Sequence, residues 1–146
     1  MRRHITKNRQ ETLELASELL KEINHKGVIC LYGQLGAGKT TFTKGLSLSL
    51  GIAELSIKSP TYTYIREYRT STQTIFHVDL YRLEGKVHSA NALLEEMLEQ
   101  KPDLMIIEWS EHLGKNLPSK RTDVKITKSQ KEERHITIEH HGMGNA

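Results

Sequence analysis

The sequence contains one cysteine and no long run of apolar residues, and each of these absences narrows the classes of protein to consider. The single thiol, Cys30, has no partner for an internal disulfide, so a reducing compartment is acceptable. No apolar run approaches the roughly 18 residues that a membrane-spanning helix requires, and neither terminus carries the apolar segment of a signal peptide. We therefore expect a soluble protein that works in the cytoplasm.

Aromatic residues are also scarce, and none is interleaved with the basic residues that gather towards the two ends. Residues 79–111 hold eight acids and three bases, a net charge of −5, whereas the rest of the chain carries +8. Basic ends of this kind are compatible with a nucleic acid or an acidic partner, but single-stranded nucleic acids are usually bound with aromatic stacking platforms as well. A solvated, solubilising surface is therefore the favoured interpretation.

The 146 residues have the length of one domain, and the apolar pattern divides them into helices and strands. Helices are predicted at residues 9–24, where Asn8 and Glu11 resemble a capping box, at 40–50, and at 89–100 with Ser89 as a cap. Strands are predicted at 28–32, 62–68, 74–80, 104–107, 123–127 and 134–139, with a frayed tail from about 142. Two of the connections are those of antiparallel hairpins. We expect an α/β fold, a single P-loop NTPase domain over residues 1–146 with a mixed parallel and antiparallel sheet flanked by helices.

Residues 33–40, Gly-Gln-Leu-Gly-Ala-Gly-Lys-Thr, fit the phosphate-binding pattern G-x-x-x-x-G-K-[ST] at every fixed position. A strand leads into them and a helical pattern leads out, which is the context that the motif requires and which counts against an ordinary glycine-rich turn. Glycines let the backbone aim its N–H groups at a phosphate, and the helix N-terminus adds partial positive charge. Lys39 is expected to reach the β- and γ-phosphates, and the Thr40 hydroxyl to bind Mg²⁺.

A P-loop also needs an acid to hold magnesium, generally at the end of an apolar strand beside the loop strand. Asp79 follows the run 74–78, and Glu108 follows the run 104–107. Four consecutive apolar residues suit a strand buried on both faces, whereas the first run includes His77 and lies in a predicted hairpin. We assign Glu108 to the metal and expect Asp79 to orient or deprotonate the attacking water. The alternative for each is an ordinary carboxylate at a strand end.

Four segments together resemble the TsaE (YjeE-type) family: Gly33–Phe42, Ser59–Tyr62, His77–Leu83 and Ile107–Trp109, in that order on a chain of this size. The resemblance covers about residues 8–113, and the order of the four motifs makes it specific. It implies the ATPase component, working with ATP and Mg²⁺, of the bacterial machinery that makes threonylcarbamoyladenosine at position 37 of tRNA. The implied partners are the threonylcarbamoyl-transferring protein and its dimerising relative, of the TsaD and TsaB type, with tRNA met indirectly or at the complex.

The resemblance also implies roles for individual residues. The implied ATP-binding residues are Thr12, Gly33, Gly36, Ala37, Gly38, Lys39, Thr40 and Thr41, of which Thr12 lies in a segment near the base. Thr40 and Glu108 are implied as magnesium ligands, and Asp79, Lys39 and Thr61 as residues of the hydrolytic machinery, with Thr61 in a nucleotide-sensing switch. Two departures stand out. Gln34 replaces a usual Asp at a variable loop position, and residues 85–91 lack the usual acidic pattern, which puts a partner interface there in doubt.

The sequence also offers grounds against other functions and other sites. A small-molecule kinase, the alternative function, needs an acceptor pocket and an arginine-bearing lid, for which this chain has no insertion. A GTPase needs an Asn-Lys-x-Asp guanine reader, which the sequence lacks. His135, His140 and His141 are read as a strand residue and a tail, not as a metal site. Trp109 is expected to pack at the edge of the site rather than to stack on the nucleotide.

Overall fold

The computed structural model describes residues 1–33, 37–52 and 65–142, and in these ranges it contains three α-helices and seven β-strands. The helices are α1 (Arg9–Glu22), α2 (Lys39–Ser49) and α3 (Val87–Glu99). The strands are β1 (Arg2–Thr6), β2 (Gly27–Tyr32), β3 (Ile65–Arg69), β4 (Thr74–Asp79), β5 (Leu104–Glu108), β6 (Arg121–Lys128) and β7 (Arg134–His141). Single 3₁₀ turns at Tyr81–Leu83 and Ser110–Leu113 follow β4 and β5.

The strands form one mixed sheet in the order β1-β7-β6-β2-β5-β4-β3, as the α/β prediction required. β2, which leads into the P-loop, is paired in parallel with β5 on one side and with β6 on the other. β4 runs parallel to β5, so β2, β4 and β5 all end at the same edge of the sheet. The two predicted hairpins are present in the described residues as the antiparallel pairs β3–β4 and β6–β7.

Apolar side chains on both faces of the sheet explain why its central strands are continuous hydrophobic runs. On one face α1 and α2 cover a core that includes Leu19, Phe42 and Ile106. On the other face α3 and the segment after β5 cover a second core that includes Met97 and Met105. Every residue from Leu104 to Ile107 is fully buried, because alternate side chains of β5 enter opposite cores.

The first helix begins as the capping pattern predicted. The Asn8 side chain accepts a hydrogen bond from the Glu11 backbone N–H at 2.9 Å. The Glu11 carboxylate accepts in turn from the backbone N–H of Lys7 at 2.8 Å, one residue before the position that a capping box prescribes. The bond from Glu11 satisfies one of the backbone donors that a helix start leaves without partners.

Several expectations from the sequence were wrong in detail. Ser89 lies inside α3. The cap position of this helix is Lys86, whose side chain makes no capping hydrogen bond. His140 and His141 belong to β7 and not to a tail, because β6 continues to Arg121 and pairs with them. Strand β1 was not predicted, since its five residues include two arginines and a histidine and lack an alternating apolar pattern. It adds to the sheet edge by pairing antiparallel with β7.

Some expectations fall on residues outside those that the structure describes. They are the loop positions 34–36, the Ser-Pro-Thr segment with the start of the first hairpin at 53–64, and the last residues, 143–146. In the described part, none of the helices combines the length and the apolar character that crossing a bilayer takes.

Helices α1 and α2 approach each other closely at Gly45. A Cβ atom built on Gly45 would lie 2.8 Å from the Leu13 carbonyl oxygen and 2.8 Å from the Ala16 Cβ. A backbone oxygen in a helix cannot swing away, so a larger side chain at residue 45 would force the helices apart. The packing of α1 on the P-loop helix therefore depends on the absence of a side chain here.

We expect Gly45→Val to lower the free energy of unfolding by about 1–3 kcal/mol, the usual cost of overpacking. The better helix propensity of valine over glycine offsets only a few tenths of a kcal/mol. Urea unfolding followed by circular dichroism measures the change. Leu48→Ala is the matched control, since Leu48 is 57% exposed on the same helix, and it should shift stability by less than about 0.5 kcal/mol. Equal midpoints for the two variants would contradict the close approach.

Candidate functional site

Two described glycines of the P-loop stand where a side chain would collide with the backbone, at Gly33, or strain it, at Gly38. A Cβ on Gly33, directly after β2, would lie 2.8 Å from the Ile126 carbonyl oxygen. Gly38, directly before α2, has φ +111°, and a Cβ there would lie 3.2 Å from the Arg134 Nε. Ala37, between them in sequence, is buried. Gly33 therefore lies close to β6, and Gly38 lies close to the first residue of β7.

Lys39 is the first residue of α2, and its charge has no hydrogen-bonded counterpart. The residue is 6% exposed, and among the described residues its ammonium Nζ has no hydrogen-bond acceptor. The Nζ atom lies 3.4 Å from the centre of the Trp109 ring, a cation–π contact. Burial lowers the pKa of Lys39, while the carboxylates of Glu111, Glu108 and Asp79 oppose that shift. A buried, unpartnered ammonium beside a glycine-rich loop is suited to receive an anion.

Glu108 ends β5, the strand immediately beside the P-loop strand, and pairs in register with Leu31 of β2. Asp79 ends β4, one strand further away, and pairs in register with Glu108. The structure therefore brings both acids to the edge of the sheet where the P-loop lies. Glu108 is held by a 2.6 Å hydrogen bond to the His77 Nε2, and the Asp79 carboxylate accepts from the Tyr81 backbone N–H at 2.9 Å.

The described side chains could hold Mg²⁺ only together with the phosphates of a bound nucleotide. In the described residues there is no group of three or more His, Cys, Asp and Glu side chains arranged to hold a metal. Thr40 is exposed on the first turn of α2, and Glu108 is mostly buried at the strand end. Magnesium is typically bound by one or two protein oxygens, with phosphate oxygens and waters completing an octahedron. Thr40 and Glu108 offer a hydroxyl and a carboxylate oxygen, which are the kinds of ligand that this coordination uses.

A pocket of about 190 Å³ opens beside the start of α2. Its wall includes Thr12, the residue predicted to lie near the base of the nucleotide. It is lined by Arg9, Thr12, Gly38, Thr41, Glu132 and Arg134. Thr12 is 2% exposed, and its hydroxyl shares a 2.7 Å hydrogen bond with that of Thr6. The structure therefore places Thr12 in the pocket wall next to Gly38 and Thr41, with its hydroxyl already paired inside the protein.

Trp109 lies at the edge of the site, where the sequence predicted it, but it also contacts the P-loop lysine. Its ring stacks on His112 with centroids 5.7 Å apart, and it meets Tyr81 at 5.0 Å. Trp109 has φ +60°, an unusual backbone conformation for a bulky residue. Such strain is often found at functional sites, because the surrounding structure must hold it in place.

Sequence reasoning missed several residues that the fold brings to this site. Glu111 and His112 follow Trp109 in the turn after β5, and Arg9 and Arg134 come from opposite ends of the chain. No sequence motif marks the two arginines, since only the pairing of β7 beside β6 brings residue 134 to the loop. Glu111 has a local signal, because it stands three residues after Glu108. Gly36 and Thr61, two of the predicted site residues, lie outside the described residues.

The geometry agrees with the comparisons to known proteins. A model of the family described as "Threonylcarbamoyl adenosine biosynthesis protein TsaE" matches residues 6–136. A relative from Bacillus subtilis is 36% identical over 133 residues, which are 91% of this chain and 82% of the relative. A relative from a Nostoc species is 43% identical over 108 residues, 73% of this chain and 66% of the relative. Both are named tRNA threonylcarbamoyladenosine biosynthesis protein TsaE.

A solved structure gives the same result for the fold. The crystal structure of YdiB from Bacillus subtilis superimposes with a TM-score of 0.74 at 32% sequence identity. The match covers 97% of this chain and 86% of the YdiB chain. It extends beyond the P-loop to the hairpin β6–β7 and the strand β1, which a generic phosphate-binding motif does not require. The chain therefore belongs to the TsaE family of threonylcarbamoyl adenosine biosynthesis proteins.

Proposed function

We propose that this chain is a magnesium-dependent ATPase required for threonylcarbamoyladenosine formation at position 37 of tRNAs. The observation that carries the nucleotide part is the buried Lys39 ammonium, which has no acceptor among the described residues and faces an edge where two strand-end carboxylates meet. The names of the relatives support the tRNA part. The cellular site that we propose is the cytoplasm, where tRNA is modified.

The P-loop residues bind and orient the phosphates. Lys39 would leave the Trp109 ring and donate to phosphate oxygens, exchanging a cation–π contact for charge-assisted hydrogen bonds. The N-terminus of α2 adds its partial positive charge at Gly38, Lys39 and Thr40. Glycine at residue 33 allows this close approach, since any Cβ there would collide with β6.

The two acids would have different tasks because of their positions. Glu108 lies on the strand beside the P-loop and, with Thr40, would hold Mg²⁺, which neutralises phosphate charge when bound. Asp79 lies one strand away and is fixed by the Tyr81 backbone N–H, so it would orient or deprotonate the attacking water. Thr61 would act with it, as a switch residue that senses the nucleotide.

The pocket lined by Thr12 and Thr41 is where we place the base. It adjoins Gly38 at the start of α2, so a nucleotide whose phosphates lie in the P-loop would reach it with its other end. The Thr12 hydroxyl is paired with Thr6, so Thr12 would contribute shape and its methyl group to the pocket wall. Arg9 and Arg134 would supply polar contacts at the rim.

A partner subunit is part of the proposal. In P-loop enzymes a group supplied in trans accelerates hydrolysis by about 10³ to 10⁵, and no arginine finger is evident from the sequence of this chain. We propose that the TsaD and TsaB type subunits dock over the nucleotide and switch hydrolysis on, meeting tRNA as a complex. The alternative, a small-molecule kinase, is not favoured, because the matched relatives are named for tRNA modification.

Lys39→Ala should weaken ATP binding by about 10- to 100-fold, because a hydrogen bond to a charged group contributes about 1.5–3 kcal/mol. Isothermal titration calorimetry measures the affinity, and circular dichroism checks that the variant is folded. Lys44→Ala, a lysine on the same helix, is the matched control and should bind ATP normally. A folded Lys39→Ala variant with unchanged affinity would exclude the P-loop assignment.

Glu108→Ala should chiefly weaken the binding of ATP in the presence of Mg²⁺, whereas Asp79→Ala should spare binding and slow hydrolysis at least about 10²-fold. The reason is that one carboxylate would hold the metal and the other the water. Titrations with and without EDTA and single-turnover phosphate release separate the two effects. Glu96→Ala, an exposed acid on α3, serves as the control. The reverse pattern would exchange the two roles.

Isolated protein should hydrolyse ATP slowly, and the TsaD and TsaB type subunits should accelerate it, because they would complete the site in trans. Phosphate release is followed while the purified subunits are titrated into the chain with ATP and Mg²⁺. Labelled γ-phosphate should appear only as free phosphate. Rapid turnover by the isolated chain that the subunits leave unchanged, or label transferred to a small-molecule acceptor, would favour the kinase instead.

A further inference from the structure

His77 is a polar residue in the middle of a buried apolar strand. In β4 the residues from Ile75 to Val78 are all buried, and His77 is 5% exposed between Phe76 and Val78. Isoleucine or leucine would suit this position better if it served only packing, because a buried polar group costs free energy unless it is hydrogen-bonded. The imidazole therefore requires a partner, and the fold supplies one.

The partner is Glu108. The His77 Nε2 lies 2.6 Å from the Glu108 Oε2, and the side chains are 5% and 15% exposed. The register explains the contact: His77 pairs with Ile106, so Glu108, two residues further along β5, points to the same face of the sheet. An ionised carboxylate only accepts hydrogen bonds, so Nε2 carries the proton and donates it to Oε2.

Glu108 is fixed at its backbone as well as at its side chain. Its carbonyl oxygen accepts a hydrogen bond from the Leu80 backbone N–H at 3.1 Å, which ties the end of β5 to the residue after β4. The short hydrogen bond from His77 then leaves the carboxylate little freedom to rotate. A side chain held at both ends is oriented before any ligand arrives.

We propose that His77 is a positioning residue: by donating to Oε2 it holds the Glu108 carboxylate so that Oε1 is presented to Mg²⁺. This rests on the proposed function, in which Glu108 holds the metal. Carboxylates that bind metals are themselves commonly hydrogen-bonded, and loss of such a supporting contact typically costs 10- to 100-fold in metal affinity or activity.

The competing explanation is that the pair only fastens β4 to β5. That function has little need of a charged group, because replacing a buried ionic pair by apolar residues is often neutral or stabilising. The parallel backbone pairing from Ile75 to Asp79 already joins the two strands. A structural role therefore predicts a loss of stability on substitution, with no change in the response to magnesium.

The test compares nucleotide affinity with Mg²⁺ and with EDTA in wild-type protein and in His77→Phe, which keeps a planar ring in the buried position but cannot donate. For His77→Phe we expect unchanged nucleotide affinity in EDTA. The increase in nucleotide affinity that Mg²⁺ gives, the magnesium-dependent gain, should fall about 10- to 100-fold. His77→Gln, which restores an N–H donor, should recover most of that gain. Phe76→Leu is the matched control. Phe76 is the neighbour of His77, but its side chain faces the opposite core, so this variant should keep the magnesium-dependent gain.

The outcomes separate this inference from the proposed function. If Glu108→Ala loses the magnesium-dependent gain while His77→Phe keeps it, His77 is structural and the inference is wrong. If wild-type protein shows no such gain, the proposed metal site itself fails, and the inference fails with it.

A second measurement needs no variant. In wild-type protein the imidazole ¹⁵N spectrum of His77 should show a protonated Nε2 whose resonance moves when Mg²⁺ is added to the nucleotide-loaded chain. An Nε2 without a proton, or a resonance that Mg²⁺ does not move, would overturn the inference.

Discussion

The parallel pairing of β2 with β5 is the constraint on which the rest of the structure depends. Parallel strands need long crossover connections, and here these connections place α1 and α2 on one face of the sheet and α3 on the other. Burial on both faces then requires the continuous apolar run from Leu104 to Ile107. The same pairing brings Glu108 beside the P-loop, so the interaction that organises the core also assembles the site.

The described contacts hold the charged groups of the site in position. The Lys39 ammonium rests on the Trp109 ring, while Glu108 and Asp79 are engaged by His77 and by the Tyr81 backbone N–H. Among the described residues the Lys39 ammonium has no hydrogen-bond acceptor, so it is available to a ligand such as a phosphate chain that arrives with a divalent cation.

The family match concerns most of the chain, whereas the P-loop geometry concerns only the phosphate-binding loop. The family match covers residues 6–136, and the similarity to YdiB extends over 97% of the chain. The P-loop alone occurs in kinases, GTPases and many other ATPases, so it does not select among them. What distinguishes this chain is the order of motifs around the loop, together with the β6–β7 hairpin and β1, which bring Arg134 and Arg9 to the loop.

The sequence by itself determined the P-loop, the burial of β5 and the choice of Glu108 over Asp79 as the strand-end acid beside the loop. These features are local, since glycine spacing and apolar runs report directly on turns and on strands buried on both faces. Only the tertiary structure decided the hydrogen bond between His77 and Glu108, the Lys39–Trp109 contact, and the addition of β1 at the sheet edge. These contacts join residues that are far apart in the chain, and the order in which the strands pair in the sheet, which the pattern of a single strand does not specify, decides which side chains meet.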